Sequence, residues 1–131
     1  MTRHVVTIGR IALGLVFFVF GLNGFLDFLP HPTGPFPQGA MAFGGALMQT
    51  GYMFPLIKGT EVVAGALLLT NRFVPLALAL VAPVVVNIFA FHAFLQPAQL
   101  PLASAIVVLE IGLAWSYRTA YRPMLALRAA P

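Results

Sequence analysis

The chain has 131 residues, 60% of them hydrophobic and only 8% charged, with a formal net charge of +4 and no cysteine. Ordinary soluble domains carry about 25% charged residues, and a chain this short has too much surface for its volume to hide so many apolar side chains, so the composition points to lipid as solvent. The missing thiols exclude disulfide exchange, thiolate metal sites and iron–sulfur ligation by this chain, and the absence of a basic stripe interleaved with aromatics argues against nucleic acid as a partner.

The first predicted span runs from about Val5 to Leu29, long enough for a bilayer crossing of about 20 residues. Arg3 and Arg10 precede an apolar run as in a signal peptide, but the run is long and no small-x-small cleavage site follows before Asp27. It is therefore expected to be a retained first helix. Arg10, Gly14, Phe17, Gly21, Gly24 and Phe28 fall on one stripe by three-four spacing, and its small residues would let a neighbouring backbone come close. Asn23 and Asp27 stand four apart near the outer end, before the helix stops Pro30 and Pro32.

Residues 31–51 form a Pro- and Gly-rich linker. Its second half, AMAFGGALMQT, is too short and too weakly apolar to span, and reads as an interfacial or re-entrant segment. Gly44 and Gly45 weaken a regular helix there.

The second span, about 53–70, carries two charges, Lys58 and Glu61. A charge in lipid costs roughly 2.5–3.5 kcal/mol on insertion scales. Three residues apart, the two share a helix face, which Gly65 and Leu68 continue. The pair reads as the polar seam around which the other helices pack. Asn71-Arg72 is a tight turn, so the third span, about 73–95, should return antiparallel, with Pro75 in its first turn. Pro83 lies inside that span and should kink it or free a carbonyl. Asn87 follows one turn on, with His92 near the outer end. The fourth span, about 102–121, carries Glu110 near its middle and an interfacial aromatic belt of Trp115, Tyr117 and Tyr121. The expected fold class is all-α: a single membrane domain, a four-transmembrane-helix bundle with the short segment between its first two helices.

Arg3, Arg10, Arg72, Arg118, Arg122 and Arg128 all fall on one side of this arrangement, and the connections on the other side hold no Lys or Arg. The positive-inside rule then places both termini in the cytoplasm. Glu61 and Glu110 each lie roughly nine residues, or ~14 Å, from the cytoplasmic helix ends. They are expected to meet near the midplane, with Arg10 reaching up from below. Asn23, Asp27, Asn87 and His92 would extend a polar column to the outer surface.

Three stretches carry a family resemblance: RIALGLVFFVFGLNGF from Arg10, TGYMFPLIKGTEVVAGALLLTNRFVPLALALVAP with its Lys-x-x-Glu pair, and VVVNIFAFHAF with Asn87 and His92. Together the chain resembles the DoxX family of small four-helix bacterial membrane proteins over most of its length. One departure is Gly24, where many relatives carry a lysine late in the first helix, so no role of that lysine carries over. The resemblance implies a bacterial cytoplasmic (inner) membrane protein linked to redox chemistry. Some relatives are subunits of thiosulfate:quinone oxidoreductases or accompany oxidoreductase and stress-defence complexes, and most have no established activity.

Lys58 and Glu61 read either as a structural ion pair that sets helix register or as groups that polarise a quinone and carry a proton. Glu110 adds a carboxylate that resists joint ionisation with Glu61 if the two are close, and Arg10 is a candidate to neutralise it. His92 is an interfacial histidine or a proton acceptor for a quinol; a haem reading lacks a second histidine at matching depth. Asn23 and Asp27 read as caps for the linker. No catalytic triad, phosphate loop or metal-ligand cluster appears in the sequence, and no catalytic residue is assigned. The reading adopted is an accessory or quinone-facing subunit of a membrane oxidoreductase system, with Lys58, Glu61, Glu110, Asn87 and His92 as ligand and proton candidates. Arg10, Asn23 and Asp27 are structural polar residues. Quinone is the cofactor considered, and lipid and oxidoreductase subunits are the partners, with a homo-oligomer left open. The alternatives are a structural or assembly subunit without ligand, and a small transporter.

Overall fold

The computed structural model describes residues 2–31 and 36–131. Pro32, expected above as a helix stop, lies outside the described residues. The elements are α1 (Arg3–Leu26), α2 (Gln38–Gln49), α3 (Met53–Thr70), α4 (Val74–Leu95), a 3₁₀ turn (Pro97–Gln99), α5 (Leu100–Ser116), α6 (Arg118–Tyr121) and a second 3₁₀ turn (Arg122–Leu125). No strand occurs among the described residues.

Four helical segments, Arg3–Leu26, Met53–Thr70, Val74–Leu95 and Pro97–Ser116, are long and apolar enough to cross a membrane. Their outer faces carry exposed Leu15, Val63, Leu80, Val86, Val108 and Ile111, which is the pattern of a bundle whose solvent is lipid. The chain is a multi-pass membrane protein with an all-α, four-helix architecture. α2 has 12 residues, about 18 Å, which is too short to span. It is a helix in spite of Gly44 and Gly45, and it rests on α3 and α4, where Phe43 meets Phe91 with ring centroids 5.5 Å apart.

Each span packs on two neighbours: α1 on α3 and α5, and α4 on α3 and α5. The spans therefore form a ring with α3 and α5 across its diagonal. α1 and α3 make the closest seam. A Cβ at Gly65 would stand 2.5 Å from the Phe18 nitrogen and 2.9 Å from the Gly14 carbonyl oxygen, and one at Gly21 would stand 2.9 Å from the Val62 nitrogen. Backbone meets backbone there. Between helices in lipid the hydrophobic effect is weak, and such close packing and polar bonds hold them together. Leu13, Phe17, Ala64, Leu68, Ala77, Leu78 and Val81 fill the centre.

The helix ends follow local chemistry. α1 stops at Leu26, earlier than the expected Leu29, because Asp27 turns left-handed (φ 50) and donates its backbone N–H to Asn23 O. Phe28 thus leaves the stripe. The Asn23 side chain accepts from the Leu29 N–H at 2.8 Å, and Asp27 pairs with His31 at 3.0 Å on the surface. Asn71 (φ 58) closes α3, and Phe73 (φ 51) stands before α4. α5 ends at Ser116, and the expected continuation to Tyr121 is broken into the short α6. Pro83 sits within an unbroken α4.

Candidate functional site

The charged turn of α3 is held by the glycines of α1. Lys58 Nζ stands 3.4 Å from Glu61 Oε2, with Glu61 buried and Lys58 partly so. The ammonium also lies 5.7 Å from the centre of the Phe54 ring, a cation–π distance. A Cβ at Gly24 would come within 2.5 and 2.6 Å of Lys58 Cγ and Cδ, so the absence of a side chain at Gly24 is what lets the lysine stem cross α1. The position where the resemblance leads one to expect a lysine on α1 is thus taken up by the stem of a lysine from α3. Gly21 does the same for the Glu61 stem, whose Cβ would lie 3.1 Å from the added atom.

The pair opens onto a cleft of about 240 Å³ lined by Phe17, Phe20, Lys58, Glu61, His92 and Gln99 among others. His92 Nδ1 lies 2.8 Å from the Ile88 carbonyl oxygen. A carbonyl can only accept, so Nδ1 carries a hydrogen, and in the neutral ring Nε2 is left as the acceptor. The cleft therefore combines a cation, its carboxylate and a hydrogen-bond acceptor with an apolar, aromatic wall, the composition of a site for a largely apolar ligand with a polar head.

Other sequence candidates lie elsewhere. Glu110 does not meet Glu61: it sits on α5, diagonal to α3, and lines a different cleft with Ala79, Ala82 and Tyr121. Asn87 is on the exposed face of α4 and is not part of the Lys58 cleft. Asn23 and Asp27 serve the end of α1. The expected continuous polar column is thus replaced by separate groups, because the 3.6-residue period turns Asn87 away from His92 and the bundle centre. Arg10 does not neutralise Glu110. Its Nη1 donates to the Leu68 carbonyl, and to Leu69 O at 3.4 Å, so it caps the C-terminal turn of α3, where carbonyls lack helical donors and the dipole favours a cation.

No family model, curated protein or solved structure matches this chain.

Gln99 and Tyr121 contribute in ways that their sequence neighbourhoods do not signal. Gln99 ends a 3₁₀ turn and lines the Lys58 cleft, and nothing local distinguishes it from other loop polars. Tyr121 read as an interfacial aromatic, yet its hydroxyl donates to Pro75 O at 2.7 Å and so ties the C-terminal segment to the start of α4. Burial, and then the Glu110 carboxylate nearby, push the Tyr121 hydroxyl above the ordinary phenol range, which keeps it a donor. Among the described residues no cluster of His, Cys, Asp and Glu could hold a metal.

Proposed function

We propose that the chain is a DoxX-like protein of the bacterial inner membrane, with both termini cytoplasmic, and an accessory or quinone-facing subunit of a membrane oxidoreductase system. The observation that carries the reading is the Lys58 cleft, where an ion pair and an imidazole lone pair border an aromatic wall. A quinone has a flat apolar ring with carbonyl oxygens. Lys58 would donate to one of them, Glu61 would hold the ammonium in place, and His92 Nε2 would accept from a quinol hydroxyl. No intrinsic redox centre is visible in the sequence, so electrons would come from a partner subunit or a bound cofactor. All six arginines near helix ends lie on one side of the four spans, which supports the cytoplasmic termini.

The test uses Glu61→Gln, which keeps shape and hydrogen bonding but removes the titratable charge. Complex yield and quinone reduction are measured together in the same membranes. The expected result is near-normal assembly with reduced quinone reduction. Unchanged reduction, or a loss fully matched by lost complex, leaves instead the assembly-subunit reading. That reading has its own support: the Lys58–Glu61 pair is complete without any ligand.

A further inference from the structure

We propose that Glu110 anchors a second, separate binding site, which takes a lipophilic primary ammonium supplied by a free amine or by an aminolipid headgroup. Glu110 is 7% exposed, and its Oε2 is buried with no hydrogen-bond partner. Burying a carboxylate oxygen unpaired is costly, because water's hydrogen bonds are lost and nothing replaces them. A donor is therefore called for, and three donors inside the bundle or on the cleft wall are committed elsewhere. Lys58 is held by Glu61, Arg10 by the Leu68 and Leu69 carbonyls, and the Tyr121 hydroxyl by Pro75 O. Among the described residues no ion pair reaches Glu110.

The space in front of the carboxylate is suited to such a donor. It is a cleft of about 390 Å³ between α4 and α5, with Ala79, Ala82 and Ala114 as small walls and Met124 and Leu125 from the C-terminal turn at its end. Ile111, on its rim, is 63% exposed, so the cleft communicates with the lipid face. Pro83 has no N–H to give to the Ala79 carbonyl one turn back, and Ala79 lines this cleft. A primary ammonium has three N–H groups. One would go to Glu110 Oε2, while an apolar body would lie along the alanines. In its ionised form this one carboxylate in an otherwise apolar wall selects a cation over a neutral alcohol or an acid. The Lys58 cleft differs because its carboxylate already has a cation. This site does not depend on the quinone reading.

The probe is dansylcadaverine, a fluorophore on a primary ammonium chain, titrated against the full chain in phosphatidylcholine nanodiscs with empty nanodiscs subtracted. N-acetyl dansylcadaverine, with the same body and no charge, is the control. Saturable binding of the amine and none of the acetylated probe is expected. Glu110→Gln should weaken binding roughly tenfold or more, the scale of a lost charge-assisted hydrogen bond. Ala82→Leu, which fills the cleft and leaves the carboxylate, should also weaken it and carries the test if Glu110→Gln misfolds. Phosphatidylethanolamine added to the nanodiscs would compete if the donor is an aminolipid headgroup; absence of competition assigns the site to a free amine. Equal binding of both probes, or wild-type affinity in a folded Glu110→Gln or Ala82→Leu protein, overturns the proposal.

Discussion

Replacing Gly65 by alanine adds one methyl group at the point where α1 and α3 touch. The new Cβ would lie 2.5 Å from Phe18 N, 2.8 Å from Phe18 Cα and 2.9 Å from Gly14 O. Comfortable heavy-atom contacts are about 3.5–4.0 Å, so the helices must part by about 1 Å. None of the three atoms belongs to a side chain that can rotate away. Overpacking costs about 1–3 kcal/mol, and the rigid neighbours place this case near the upper end. Alanine's helix propensity returns about 0.8–1.0 kcal/mol, for a net loss of roughly 2 kcal/mol. Parting the helices also lengthens the Arg10 bond to Leu68 O, one turn along α3. Gly59→Ala is the matched control. It lies on the same helix, and its added Cβ meets nothing within 4 Å, so it should be neutral or stabilising by up to about 1 kcal/mol. Unfolding of both variants by sodium dodecyl sulfate from mixed micelles, followed by far-UV ellipticity, measures the difference. If Gly65→Ala proves as stable as Gly59→Ala, the close α1–α3 seam is wrong.

Two further predictions concern the charged turn and the orientation. Lys58→Met leaves the buried Glu61 carboxylate unpaired, and Glu61→Leu strands the ammonium. Losing one partner of a buried pair costs on the order of 3–5 kcal/mol, tempered here by Lys58's partial exposure, so each single change should lower folded yield more than the double change. A double mutant as unstable as the sum of both singles would show that the residues are not partners. For orientation, cysteines at Thr2 and Ala129 should resist an impermeant thiol reagent in intact cells, while cysteines at Gln38 and Gln99 should label. Labelling of both termini from outside reverses the assignment.

The sequence by itself determined the solvent, the element type and which face of α1 admits a close neighbour. Those properties are written in local patterns: long apolar runs, turns at Asn71, and glycines on the α1 stripe that also bears Arg10 and Phe17. The Lys58–Glu61 pair was legible for the same reason, since both charges lie within one turn of one helix. What only the tertiary structure decided is how groups on different helices meet. Glu61 and Glu110 share a depth in the sequence estimate, but depth does not fix azimuth, and the diagonal placement of α3 and α5 puts the two carboxylates in separate clefts. Arg10 could have reached for a carboxylate, yet the carbonyls at the end of α3 lay nearer once α1 and α3 had closed on their glycines. Asn87 looked continuous with His92 along the chain, but rotation of α4 against its neighbours left it on the exposed face. Periodicity assigns residues to faces of a single helix; which face meets which neighbour is set by the packing of backbones several spans apart.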